Sequence, residues 1–139
     1  MEQQHYRILV VDDEPQIREI VVELLSSEGY ICTEASDGEE ATKQIEENKF
    51  DLLVTDFRMP NMDGSELINW CRENKYHFPV IFITGNPELL PKEQFALGDC
   101  CADLLSKPLA VVELFKAINS ARVRNHHWMC HRPDKVGQD

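Results

Sequence analysis

Three carboxylates, one hydroxyl and one ammonium stand out in this sequence because each stands at the end of a stretch that reads as a strand. Asp12 and Asp13 follow the run 8–11, Asp56 closes the run that begins at Leu52, Thr84 follows 80–83, and Lys107 follows 102–106. If these runs are parallel strands, all five groups open onto one edge of a sheet. That edge is the crevice in which open α/β sheets bind ligands. Carboxylates placed so close repel one another and raise each other's pKa unless a cation shares them. A hard, oxygen-seeking ion resolves the conflict, and magnesium suits it, since it takes one or two carboxylates and leaves coordination positions for water and phosphate oxygens. Phosphoryl transfer needs a nucleophile, a cation, and donors aimed at the oxygens that the metal does not hold. In this reading Asp56 attacks, Lys107 and the metal stabilise charge, and the Thr84 hydroxyl meets the arriving phosphoryl group. Taken singly, an Asp-Asp pair is usually a solvated turn, and a lysine at a sheet edge can merely pair with an acid. The functional reading rests on their conjunction.

These groups need a scaffold, and the hydrophobic periodicity supplies one. Helices are expected over about 15–27, 39–47, 65–74 and 110–123, with a short one near 92–97 where Pro87 and Pro91 interrupt the pattern. Pro15 suits a first helical turn and Gly29 a helix C-cap. The expected packing faces are Ile17, Ile20, Val21, Leu24 and Leu25 on the first helix, and Ala41 and Ile45 on the second. On the third they are Leu67, Ile68 and Cys71 with Trp70 at the margin, and on the last Leu114, Ala117, Ile118 and Ala121. Val22, Val111 and Phe115 fall off these faces. A second strand at about 30–35 completes five strands alternating with five helices, a pattern that implies a parallel sheet covered on both sides.

Composition bounds the rest. A chain of 139 residues is one domain by length. Its net charge of −11 argues against a nucleic-acid-binding surface and favours a cationic partner. The acid is concentrated in the body, whereas the last residues are weakly basic. Five cysteines, an odd number at the irregular positions 32, 71, 100, 101 and 130, make no disulfide framework and point to a reducing cytoplasm. No apolar run is long enough to span a bilayer, so no membrane partner is expected.

The motifs VVDDE (10–14), DFRMPNMDG (56–64), FITG (82–85) and SKPL (106–109) resemble the receiver domain of two-component response regulators, in the family's order and near its spacing. The resemblance covers Arg7 to about Ala121. It implies a flavodoxin-like (βα)5 three-layer sandwich whose parallel five-stranded sheet runs in the order 2-1-3-4-5. It also implies a phosphorelay module in which Asp56 accepts a phosphoryl group from a histidine kinase or phosphotransfer protein with Mg2+. Carried over, Asp12, Asp13, Asp56 and the Arg58 backbone carbonyl hold the metal, and Thr84 and Lys107 take the switch positions. The domain is expected to occupy 1–123, to act as a stand-alone receiver, and to be followed at 124–139 by a tail that is disordered or extends the last helix.

Two departures from the family pattern are visible. Leu104 stands where receivers usually carry Tyr or Phe, three residues before the lysine, and the interval from Thr84 to Lys107 is about one residue longer than usual. Lys107 before Pro108 is a candidate cis peptide. A kinase is expected at the first helix, with Val22 and Pro15, and a homodimer or output partner at Val111 and Phe115 with Leu104. His126, His127, Cys130 and His131 in the tail are zinc-ligand types, but their spacing matches no standard finger. The rival readings are a phosphate-independent adaptor and a magnesium-dependent aspartyl phosphatase. Such phosphatases commonly place a second acid two residues after the nucleophile, where this chain has Arg58, which argues against turnover.

Overall fold

The computed structural model describes residues 6–57, 59, 61–85, 102–108 and 110–124. Five strands, β1 (Arg7–Val11), β2 (Ile31–Ala35), β3 (Leu52–Asp56), β4 (Val80–Thr84) and β5 (Ala102–Ser106), form one sheet in the order β2-β1-β3-β4-β5. Every neighbouring pair is parallel. Four helices are described: α1 (Pro15–Ser27), α2 (Gly38–Glu47), α3 (Gly64–Glu73) and α4 (Val111–Arg124). The helix expected near 92–97, the residues Cys100 and Cys101, and the tail after 124 lie outside the described residues.

Alternation along the strands builds two cores. Leu9, Val11, Leu53, Val80 and Phe82 join Ala41 and Ile45 of α2 and Leu67, Ile68 and Cys71 of α3 on one face. Ile8, Val10, Leu52, Val54, Ile81 and Ile83 join Val21 and Leu25 of α1 and Leu114, Ala117, Ile118 and Ala121 of α4 on the other. The result is the three-layer arrangement expected. Central strands β3 and β4 are buried at every position, as a strand covered on both sides must be. Full burial of each large aliphatic side chain contributes roughly 1.5–3 kcal/mol, so these two layers hold the sheet edge rigid beneath the site.

The helix ends follow from local chemistry. Pro15 starts α1, and Gly29, at φ 96°, takes the left-handed conformation just past its end. Asp37 caps α2 by accepting from Glu40 N at 2.8 Å. Asp63 and Glu66 form a reciprocal capping box on α3, a pattern the sequence carries as D-x-x-E. Gly64 permits the close turn from β3 into α3: a Cβ there would stand 3.0 Å from Phe57 Cα and 3.1 Å from the Asp56 carbonyl oxygen.

Three side-chain placements differ from the periodicity reading. α1 is rotated so that Val22 packs against the core shared with α4, whereas Ile20 is 52% exposed. The buried stripe of a helix is set by the sheet and by the helix beside it together, and the neighbour is invisible in the local pattern. For the same reason Phe115 packs partly buried against that core. Leu104 packs against the opposite one, so β5 sends it to the other side of the sheet from Phe115. The expected patch of Val111, Phe115 and Leu104 is thus divided at the β5 edge, with Phe115 and Leu104 packed against different cores. Its exposed part is Val111 together with Val112, which is 63% exposed.

The rotation of α1 has a measurable consequence. Ile20→Gln should leave the unfolding free energy from urea titration within about 0.5 kcal/mol of wild type, while Leu25→Ala should cost about 2–5 kcal/mol. Equal losses would contradict this placement of the helix.

Candidate functional site

Strand register brings the singled-out residues to one edge. Val11 lies opposite both Ala35 and Thr55, Asp56 opposite Ile83, and Thr84 opposite Ser106. The residues at or just beyond these ends therefore share a rim. Two backbone hydrogen bonds continue the ladder past the strands: Asp12 N donates to the Ala35 carbonyl at 3.2 Å, and Lys107 N donates to the Thr84 carbonyl at 2.9 Å. The Lys107–Pro108 peptide is cis.

The three aspartates converge. One carboxylate oxygen from each of Asp12, Asp13 and Asp56 lies within 4.8 Å of the others. Asp12 and Asp56 are buried and Asp13 is exposed. The donors are all carboxylate oxygens, which suits a hard divalent cation rather than a thiophilic metal. Arg58, whose carbonyl was expected to complete the set, lies outside the described residues. Thr84 is buried at the end of β4, beside the strand that carries Asp56.

Lys107 reaches across from the end of β5. Its ammonium donates to Asp56 Oδ2 at 2.9 Å and to Glu14 Oε1 at 2.8 Å, and stands 3.7 Å from Asp12 Oδ2. Burial works against its charge. Hydrogen bonds to Glu14 and Asp56 and the nearby Asp12 charge outweigh that cost, so the ammonium is held charged above its ordinary range. Asp12 behaves oppositely: burial pushes its carboxyl up to about 6, against the hydrogen bond it accepts from Glu14 N at 2.9 Å and the attraction of Lys107.

Two residues with parts in this geometry were not singled out as site residues. Glu14 entered only as the last residue of the VVDDE motif, although DDE places a third carboxylate on the loop after β1. Arg18, one turn into α1, donates through Nη1 to the Asp12 carbonyl at 2.7 Å and through Nε to Glu34 Oε1 at 2.9 Å. It ties the acidic loop to β2. Its signal was a basic residue in the first turn of a helix that follows directly on the acidic loop.

The sequence profile of the response regulator receiver domain matches residues 8–119. The sensor histidine kinase RcsC of Salmonella typhimurium is 38% identical over 119 residues, 84% of this chain and 12% of that protein. The alkaline phosphatase synthesis transcriptional regulatory protein PhoP of Bacillus subtilis is 38% identical over 108 residues, 78% of this chain and 45% of that protein. Among solved structures, the Thermotoga maritima response regulator TrrA in complex with Mg2+-BeF superposes with a TM-score of 0.71 at 32% identity, covering 84% of this chain and 98% of that one. With its five-stranded sheet in the order 2-1-3-4-5 and its acidic rim, the chain belongs to the response regulator receiver domain family, a signalling module with the CheY-like flavodoxin fold. It spans less than half the length of the curated relatives it matches here. No helix among the described residues is long and apolar enough to cross a membrane.

The buried carboxyl of Asp12 sets a pH dependence. A folded pKa near 6, above the ordinary 3.8, means that the native state binds this proton more tightly than the unfolded chain. That contribution to stability is complete below about pH 4 and is lost as pH rises through 6. With chelator present, Asp12→Asn should therefore be more stable than wild type at pH 7.5 by about 1–3 kcal/mol, and the gap should close toward pH 4. A variant that is less stable at pH 7.5, by denaturant unfolding, would contradict it.

Proposed function

We propose that this chain is a phosphorylation-controlled receiver in which Asp56 is the phosphoacceptor. The observation that carries the reading is the Lys107 ammonium bonded to Asp56 at 2.9 Å inside a rim formed by Asp12, Asp13 and Asp56. In the proposed reaction an Asp56 carboxylate oxygen bonds to the phosphorus of a donor as the donor's own bond to that phosphorus breaks. The donor's histidine nitrogen, or the carboxylate of an acyl phosphate, departs with the bonding electrons. Lys107 keeps its charge and donates to a phosphoryl oxygen, and Thr84, at the end of the strand beside Asp56, would engage another through its hydroxyl. Asp12, Asp13, Asp56 and the Arg58 carbonyl would hold Mg2+, which supplies positive charge against the phosphoryl oxygens when bound.

The donor in this reading is the phosphohistidine of a histidine kinase or phosphotransfer protein. Its docking surface is the start of α1, where Pro15 and Ile20 are exposed beside the acidic loop. Val22, first expected there, packs inward instead. The support from relatives is that sensor kinases and transcriptional regulators carry segments similar to this one. A cytoplasmic location accords with the free cysteines Cys32 and Cys71. Leu104 in place of an aromatic residue leaves the output to Thr84 and to surfaces such as Val111.

Incubation with a small phosphodonor and magnesium, followed by intact mass, tests the assignment. Wild type should gain one phosphoryl mass, and Asp56→Asn should gain none. A wild type that never gains it would favour the phosphate-independent adaptor, and an Asp56→Asn protein that still gains it would move the acceptor elsewhere.

A further inference from the structure

Lys107 is held by two acceptors of different character. Asp56 and Asp12 are buried in the cup, with side chains 7% and 5% exposed, whereas the Glu14 carboxylate is 57% exposed at its rim. A lysine has a flexible four-carbon stem and three equivalent donors, so its head group can reach any of several neighbouring carboxylates. Here they are densest between Asp12 and Asp56, where a cation is to be shared. The ammonium nevertheless stands off Asp12 Oδ2 at 3.7 Å, beyond hydrogen-bond distance, while it bonds to Glu14 at 2.8 Å.

From this geometry we infer that Glu14 is a positioning residue for Lys107, an inference that rests on Asp56 being the phosphoacceptor. Its rim carboxylate draws the ammonium outward, away from Asp12 and across the mouth of the cup, while Asp56 anchors the other side. Two of the three N–H groups are then committed, and the third is left to a phosphoryl oxygen entering between them. The same residue steadies the opposite wall, since its backbone N–H donates to Asp12 Oδ1. Residue 14 thus joins the loop after β1 to the loop after β5. Without its side chain, Lys107 would collapse onto Asp12 and Asp56, compete for the oxygens that a metal needs, and lose its aim.

The inference predicts that an acceptor oxygen at this position matters more than its charge. At saturating magnesium with acetyl phosphate as donor, Glu14→Ala should slow phosphorylation about 3- to 30-fold, short of the about 100-fold that a full 1 Å misplacement can cost. Glu14→Gln, whose amide oxygen still accepts from Lys107, should stay within about threefold of wild type. In a Lys107→Ala background, Glu14→Ala should have no further effect, because residues acting through one another are non-additive. A readout independent of metal and donor is the Lys107 ammonium signal in nitrogen-resolved NMR at chelator-treated, near-neutral conditions. Fixed hydrogen bonds slow its proton exchange, so it should be visible in wild type and Glu14→Gln and lost in Glu14→Ala. The inference is overturned by an unchanged rate in Glu14→Ala, by Glu14→Gln being as slow as Glu14→Ala, by an equal slowing with and without Lys107, or by an ammonium signal indifferent to residue 14. A wild type that takes no phosphoryl group overturns it together with the acceptor assignment, whereas failure of the Glu14 comparisons in a phosphorylated wild type leaves that assignment standing.

Discussion

Charge imbalance at the carboxyl end of the sheet is the constraint on which the rest of the structure depends. Among the described residues, Asp12, Asp56 and Glu14 pair with one ammonium, Lys107, and Asp13 adds a further carboxylate beside them, so these groups carry excess negative charge when all of the acids are ionised. Two unit charges about 4 Å apart interact by about 4 kcal/mol at an effective dielectric near 20. One lysine can offset only part of the mutual repulsion. Burial adds to it at Asp12, where it raises the carboxyl and makes the proton a stabilising ligand. Under the proposed function a divalent cation would do the same work better, and a phosphoryl group would be added once that cation is bound.

Holding such a cluster together needs a scaffold stiffer than the repulsion. The two apolar layers supply it, because each strand that ends at the rim is gripped from both sides: Val11 and Val10 by opposite cores, and Leu53 and Val54 likewise. The loops are fastened separately. Arg18 clamps the Asp12 carbonyl to β2 through Glu34, Glu14 N holds the Asp12 carboxylate, and the Thr84 carbonyl holds Lys107 N. Stability spent on the acids is recovered in the core, which lets a destabilised site persist on a stable fold.

The fold was legible because its signals are local. Apolar runs stop at Asp12, Asp56 and Thr84, and Pro15 and Gly29 mark where α1 begins and ends. The convergence of the three aspartates followed from strand order, since parallel strands place all their carboxyl ends on one edge. What stayed hidden depends on partners distant in sequence. Glu14 is defined by a lysine 93 residues away. The inward turn of Val22 and Phe115 depends on α1 and α4 sharing one face of the sheet. Leu104 was visible as a departure, but its placement on the side opposite Phe115 follows from strand alternation in β5, which separates Leu104 from Leu105.

If a shared cation relieves the charge conflict in the cup, then magnesium must stabilise the folded state through these carboxylates. Thermal unfolding across a magnesium series, at constant ionic strength near pH 7.5, reads that linkage directly. The account predicts a melting temperature that climbs with the logarithm of magnesium concentration above the dissociation constant, and a response that is flat in Asp13→Asn. A wild-type melting temperature indifferent to magnesium, or one that climbs equally in Asp13→Asn, would contradict it.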